Sequence, residues 1–250
     1  MTDRVYSTDA YAFEVDATVV DVDADESRVL LDRTVFYPGG GGQPPDRGIL
    51  LVGGDAAAAE VAGDRLEVVG VGEDRRGVWH QVTGGLPPVG SRVHGRLDVD
   101  RRLALMRTHT AMHALCGVVW ERYRSPVTGG NMEPGVGRLD FELPDWDPDD
   151  KATIETALQA ELDAARPVEV AFLPRAEADA DPSLIRTKVS LLPDDLAVVR
   201  VIDIVGLDRQ ADGGTHVRST SEVGRVRVAK VESKGRGFRR IRLALDEPSG

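Results

Sequence analysis

The chain has 250 residues, 41% of them hydrophobic, with a formal net charge of −11 and one cysteine. That length holds one large domain or two smaller ones, and the lone Cys116 excludes an internal disulfide framework and suits a reducing cytoplasm. No apolar run approaches a membrane span, and the N-terminal MTDRVYSTDAYAFEVDATVV lacks the basic-then-apolar order of a signal peptide, so no membrane partner is expected.

Residues 13–36 alternate in the β manner around a polar turn at 23–27 and read as a hairpin. Short Val-rich segments at 49–52, 65–72, 77–82 and 92–97, separated by Gly or Pro, add strands, so residues 1–97 are expected to form a small β-barrel. From 98 the pattern turns helical, with apolar Leu103, Leu105, Met106, Met112, Leu115 and Val119, and runs to about Tyr123. The Gly- and Pro-rich stretch 125–137 reads as a loop and 138–143 as a strand. A second helix is expected over 149–165, with acids at its positive end. A strand at 168–173, a short helix from Asp181 to about Val189 and a strand at 196–204 follow. A terminal hairpin of 225–232 and 238–245 closes the chain. Residues 98–250 therefore read as α+β, with helices and antiparallel strands segregated, and the fold class of the whole is α+β. Apart from the alanine run 56–59 there is no low-complexity segment.

Acidity argues against a nucleic-acid partner, because phosphate binding needs Lys and Arg. The distribution reverses that locally: residues 218–242 carry nine basic side chains against Glu222 and Glu232, a balance of +7 that leaves about −18 elsewhere.

Two of the five histidines, His109 and His113 in RTHTAMHAL, are four residues apart, which puts both rings on one helix face. A third, His216, stands in the tight run Ala211-Asp212-Gly213-Gly214-Thr215-His216. Three imidazoles leave a tetrahedral ion one open position, as in catalytic zinc sites. Asp212 is a candidate fourth ligand, with the shaping of the turn as its other role. Cys116 is a poorer one: at about 1.5 Å per residue it lies about 10 Å along the helix from His109, and its neighbours suit a buried small apolar group. The run Thr34-Val35-Phe36-Tyr37-Pro38-Gly39-Gly40-Gly41-Gly42-Gln43 can present backbone N–H groups or admit a close approach, and alone reads as a hairpin loop. It is not a Walker loop, because no Gly-Lys-Ser/Thr follows.

Taken together, TVFYPGGGGQPPDRG, RTHTAMHAL, RLDFEL and DRQADGGTHVRSTSEVGRVRV resemble the freestanding alanyl-tRNA editing proteins of the AlaX type. These are similar to the editing domain of alanyl-tRNA synthetase and, more distantly, to that of threonyl-tRNA synthetase. The N-terminal Gly-Gly-Gln motif marks the longer, two-domain form, with an editing domain over 98–250. The resemblance implies hydrolysis in trans of the ester in mischarged tRNA(Ala), mainly seryl and in some members glycyl, with Zn2+ as cofactor. It assigns His109, His113 and His216 as zinc ligands. Asp212 stands where the family usually has cysteine, which makes the site harder and less selective for zinc. Thr34 matches a threonine near the bound amino acid, Gln43 ends the Gly-Gly-Gln motif, and Gln210 and Asp208 stand where they can orient ligands. Thr34, Gln43 and Gln210 are accordingly the candidate catalytic residues. Thr34 is the candidate reader of the serine hydroxyl, with a β-branched strand residue as its plainer role. A metal-stabilised RNA-binding module without turnover is the alternative. A metallo-hydrolase of small esters would leave the basic 218–242 segment unexplained. The oligomeric state is open.

Overall fold

The computed structural model of the chain describes residues 2–53, 65–184 and 196–246. The alanine run at 56–59 and the part of the expected 181–189 helix beyond residue 184 lie outside them. The chain divides into two compact units, one of Met1–Gly40 with Pro44–Leu103 and one of Gly41–Gln43 with Ala104–Gly250.

The first unit holds strands β1 (Asp3–Arg4), β2 (Glu14–Asp23), β3 (Arg28–Leu31), β4 (Arg33–Thr34), β5 (Gly48–Val52), β6 (Arg65–Asp74), β7 (Gly77–Thr83) and β8 (Arg92–Leu97). Six of them close into an antiparallel barrel in the order β2-β3-β7-β6-β5-β8, while β1 and β4 pair in parallel. Period-two alternation decides which side chains go inside: Val15, Ala17 and Val19 of β2 are buried between outward Glu14, Asp16 and Thr18. Phe36 fills the interior, and Gly48 and Gly95 make room for it, since a Cβ on either would come within 3.0–3.1 Å of its ring.

The neck of the glycine loop is also fixed in this unit. Tyr37 and Asp46 exchange backbone hydrogen bonds with each other's main chain and carboxylate: Asp46 N–H donates to Tyr37 O at 3.0 Å, and Tyr37 N–H donates to Asp46 Oδ2 at 2.7 Å. Arg102, fully buried, pairs with Asp46 and also donates to Ala10 O and Val35 O. Charge and donors are thus satisfied together, as a buried ion pair requires. Helix α1 (Val99–Tyr123) starts in this unit, where Asp98 Oδ1 accepts from Arg101 N–H, and continues through the second.

The second unit adds β9 (Val127–Glu133), β10 (Val136–Glu142), α2 (Asp150–Asp163), β11 (Val168–Pro174), α3 (Arg175–Asp179), β12 (Val198–Ile204), β13 (Asp208–Ala211), β14 (Val226–Ser233) and β15 (Phe238–Leu245). They form a four-stranded sheet β14-β15-β10-β9 and a three-stranded sheet β11-β12-β13, both antiparallel, and the class is α+β. One expectation is corrected. The stretch 125–137 is largely a strand, β9, because its glycines serve close packing and not a loop. A Cβ on Gly130 would meet Leu139 Cδ2 at 2.9 Å, and one on Gly137 would meet Met112 Sδ of α1 at 2.6 Å. Of the helix expected from Asp181 to about Val189, the described residues hold a 3-10 turn at Pro182–Leu184, which Asp181 opens by accepting from Ser183 N–H; a separate short helix, α3, precedes it. Pro182 lacks an N–H to extend α3.

Helix α2 buries Ile154, Leu158 and Leu162, four residues apart. It also guards the outer edge of β14: Glu155 and Gln159 accept from the N–H groups of Val228 and Val226 at 2.7 and 3.0 Å. Among the described residues no helix is long and apolar enough to cross a membrane.

Candidate metal centre

The second unit places His109 and His113 of α1 beside the loop that follows β13. One nitrogen from each of His109, His113 and His216 and one oxygen of Asp212 lie within 4.8 Å of one another, and all three rings are buried. The ring centroids are 5.0, 4.7 and 4.3 Å apart, with His109 stacked on His216. Asp212 sits at the centre. Its Oδ1 is 3.6 Å from His109 Nε2 and 4.0 Å from His113 Nε2, and its Oδ2 is 3.3 Å from His216 Nε2.

Each ring turns its other nitrogen outward to a separate partner. His109 Nδ1 donates to Gln43 Oε1 at 3.0 Å, His113 Nδ1 lies 3.2 Å from Asp208 Oδ2, and His216 Nδ1 lies 3.1 Å from Thr110 Oγ1. For His109 the acceptor-only Gln43 Oε1 puts the proton on Nδ1 and leaves the Nε2 lone pair facing Asp212, whereas His216 Nε2 is itself within hydrogen-bond distance of Asp212 Oδ2, at 3.3 Å. The partners are held in turn. Gln43 Oε1 also accepts from Thr215 N–H, and Gln43 Nε2 donates to Thr215 Oγ1. Gln210 Nε2 donates to Asp208 Oδ2 at 2.6 Å, and Val217 N–H donates to Thr110 Oγ1. Arg200 Nη1 donates to the carbonyls of Asp212 and Gly214 at 2.9 and 2.8 Å, fixing the loop. Asp212 Oδ2 itself accepts from Gly214 N–H.

The electrostatics follow from burial and from this crowding. Desolvation pushes His109 down to about 4, with the neighbouring His113 and Arg200 working the same way against Asp212. Desolvation and the charge of His109 hold His216 well below its ordinary value. For His113, desolvation also opposes the charged form, but the hydrogen bond and charge of Asp208, helped by Asp212, raise it. Asp212 is largely withdrawn from solvent, which alone would favour its neutral form, yet the three histidines hold it well below the carboxylate range. One carboxylate and three imidazoles turned toward one another make a donor set that suits a cation.

Residues 199–242 match the family model of the threonyl and alanyl tRNA synthetase second additional domain. Over 245 residues, 96% of this chain and 98% of its counterpart, the chain is 34% identical to the alanyl-tRNA editing protein AlaX-M of Saccharolobus solfataricus. It is 34% identical over 252 residues to that of Methanosarcina acetivorans, covering 98% of the chain and 99% of the relative. The chain belongs to the AlaX-M family of alanyl-tRNA editing proteins. It is also 37% identical over 239 residues to the alanine--tRNA ligase of Pyrobaculum aerophilum, covering 92% of the chain but 25% of the ligase.

In this AlaX-M member the four residues fit a metal ion. Ligand bonds of about 2.0–2.1 Å in a tetrahedron separate donor atoms by about 3.4 Å. Asp212 Oδ1 lies 3.6 and 4.0 Å from the His109 and His113 nitrogens, and the four donor atoms all lie within 4.8 Å of one another, so a modest contraction would bring them to that spacing. Three imidazoles and a carboxylate lie within the ligand set of zinc. Cys116 is buried on the same helix and is not one of the four.

The other sequence candidates fall in different surroundings. Gln43 stands one bond behind the ligand candidate His109, and Gln210 stands one step further back, behind the Asp208 that faces His113. Thr34 belongs to the first unit, fully buried, where its hydroxyl is 2.8 Å from His80 Nε2 and accepts from Phe36 N–H at 3.0 Å. Sequence reasoning missed Thr110, Thr215 and Arg200. Only Arg200 left a signal: a charge inside an apolar strand, which needs buried partners.

Proposed function

We propose that this AlaX-M member is a metal-dependent deacylase that hydrolyses the ester of mischarged tRNA(Ala) in trans, with the seryl form and also the glycyl form as substrates. The observation that carries this reading is the convergence of three buried Nε2 atoms and one carboxylate, in a chain whose relatives are named alanyl-tRNA editing proteins. His109, His113, His216 and Asp212 would hold one Zn2+. A zinc ion so bound supplies either polarisation of the ester carbonyl or a water of lowered pKa.

The chain's own residues do the positioning. Gln43 fixes the ring of His109 and the backbone of Thr215 with one amide, so both sides of the ligand loop share a support. Gln210 orients Asp208, and Asp208 orients His113 and balances charge there. Conservative loss of such partners typically weakens metal affinity or activity by about 10–100-fold. Thr34 is the candidate reader of the serine hydroxyl, and reading it would draw on a hydroxyl now shared between His80 and Phe36. Selection at a second site is chemically necessary, because an alanine pocket cannot strongly reject a side chain that adds only a hydroxyl. A cytoplasmic setting fits the single buried cysteine.

Incubation of the metal-loaded protein with seryl-, glycyl- and alanyl-tRNA(Ala) tests the reading. Release of serine and glycine with alanine retained is expected. Metal retention without release of any amino acid would favour an RNA-binding module with a structural ion.

A further inference from the structure

Sheet β11-β12-β13 has one face turned to the metal centre. Register puts Val168, Val170, Phe172 and Pro174 of β11 opposite Ile204, Ile202, Arg200 and Val198 of β12. It puts Ile202 and Ile204 opposite Gln210 and Asp208 of β13. Directly opposed residues share a face. His113 meets Asp208 on this face, and Arg200 reaches the ligand loop from it. The opposite face packs Ala171, Leu173, Val199 and Val201 against Ala178 and Leu184.

The metal-side face is buried at Ile202, Ile204, Asp208 and Gln210. Towards β11 it is open: Phe172 is 46% exposed, Val170 42% and Val198 51%. These large apolar groups form one contiguous patch, and no carboxylate lies among them in a chain of net charge −11. The patch is also in line with the centre. Asp212 N–H donates to Arg200 O, which extends the register by one pair and makes Phe172, Arg200 and Asp212 a single row across three strands. Adjacent strands lie about 4.8 Å apart, so Phe172 stands about 10 Å from Asp212. That span is comparable with a nucleoside carrying an ester on its ribose.

We infer that Phe172, flanked by Val170 and Val198, is a stacking platform for the terminal unpaired base of the RNA whose ester lies at the metal centre. The inference rests on the deacylase reading for the identity of the ester. An exposed ring on a strand takes any base face without sequence readout. The patch, apolar but for the Arg200 cation opposite Phe172, admits a polyanion that the rest of this acidic surface repels. A second copy added along the β11 edge fits less well. The strand is bounded by Pro167 and Pro174, and its first N–H already donates to Arg218 O.

The test uses an RNA acceptor stem with 2-aminopurine as its 3′-terminal base, titrated into wild type, Phe172→Ala, Phe172→Leu and Phe172→Trp. Wild type should quench the fluorophore, and Trp should preserve the quench. Ala and Leu should lose it, with Kd, and KM for seryl-tRNA(Ala), rising roughly ten-fold or more while kcat changes less. Unchanged quench and KM in Phe172→Ala would overturn the inference. So would sedimentation of wild type as a dimer that Phe172→Ala dissociates. Quenching by a wild type that releases no amino acid from any charged tRNA would leave the platform standing and refute the deacylase reading.

Discussion

At Asp212 a single side chain faces three rings, and its own loop also claims it through Gly214 N–H. Thiolate is the softer zinc donor and carboxylate the harder and less selective one. Asp212→Cys should therefore raise zinc affinity, and Asp212→Ala should lower it, in competition with a chelator at fixed pH. Equal affinity in all three proteins would exclude ligation by Asp212 and leave the shaping of the loop as its role. Thr34 poses a second question at this scale. Thr34→Val keeps the volume and removes a hydroxyl that now serves His80 and Phe36. If it reads serine, hydrolysis of seryl-tRNA should fall more than that of glycyl-tRNA, by about 1–3 kcal/mol of discrimination. Equal losses on both, with a lower melting temperature, would show that the hydroxyl only supports the buried ring of His80. That ring is pushed down to about 4 by desolvation, so it is neutral in the folded chain at neutral pH.

Helix α1 and the loop after β13 meet closely enough that one glycine decides the fit. A Cβ on Gly214 would lie 2.6 Å from His109 Nδ1 and 2.7 Å from Gln43 Oε1, whereas one on Gly213 would meet nothing within 4 Å. Gly214→Ala should displace the Gln43–His109 bond and lower the metal content measured by elemental analysis. Gly213→Ala should keep it. Loss in both would mean that loop flexibility, and not close approach, is what the glycines provide. This contrast also shows how far the sequence could be read. The i, i+4 pair and the distant His216 were legible because helical spacing alone puts two rings on one face. The barrel was legible from alternation in strands such as β2. Strand β9 and the start of β10 were not, because Gly130 and Gly137 carry the signal of a loop, and only their close packing against Leu139 and Met112 explains them. Thr110 and Thr215 were not legible either, because a lone Thr in a helix or a turn has many ordinary uses. Gln43 was marked as a residue by its motif, but its partners His109 and Thr215 are 66 and 172 positions away in sequence.

Over the whole molecule the charge is less free than its count suggests. In the basic segment Arg240 is held by Asp140 through two bonds of 2.7 Å, Arg242 and Lys230 share Glu232, and Arg227 pairs with Asp246. Lys234 and Arg236, in the turn between β14 and β15, take part in none of these ion pairs, and their place in the turn makes them candidates for phosphate contact. Neutralising both should weaken tRNA binding across sequences and reduce the salt slope by roughly one unit per lost contact. The same affinity and slope would mean that the segment only offsets the surrounding acid. The most direct measurement of the central claim follows bound metal and serine release from seryl-tRNA(Ala) together, in wild type, His109→Ala and His113→Ala. Wild type is expected to carry one ion and deacylate, and both variants to lose metal and rate in parallel. Full deacylation by either variant without bound metal would contradict the metal centre as the seat of the reaction.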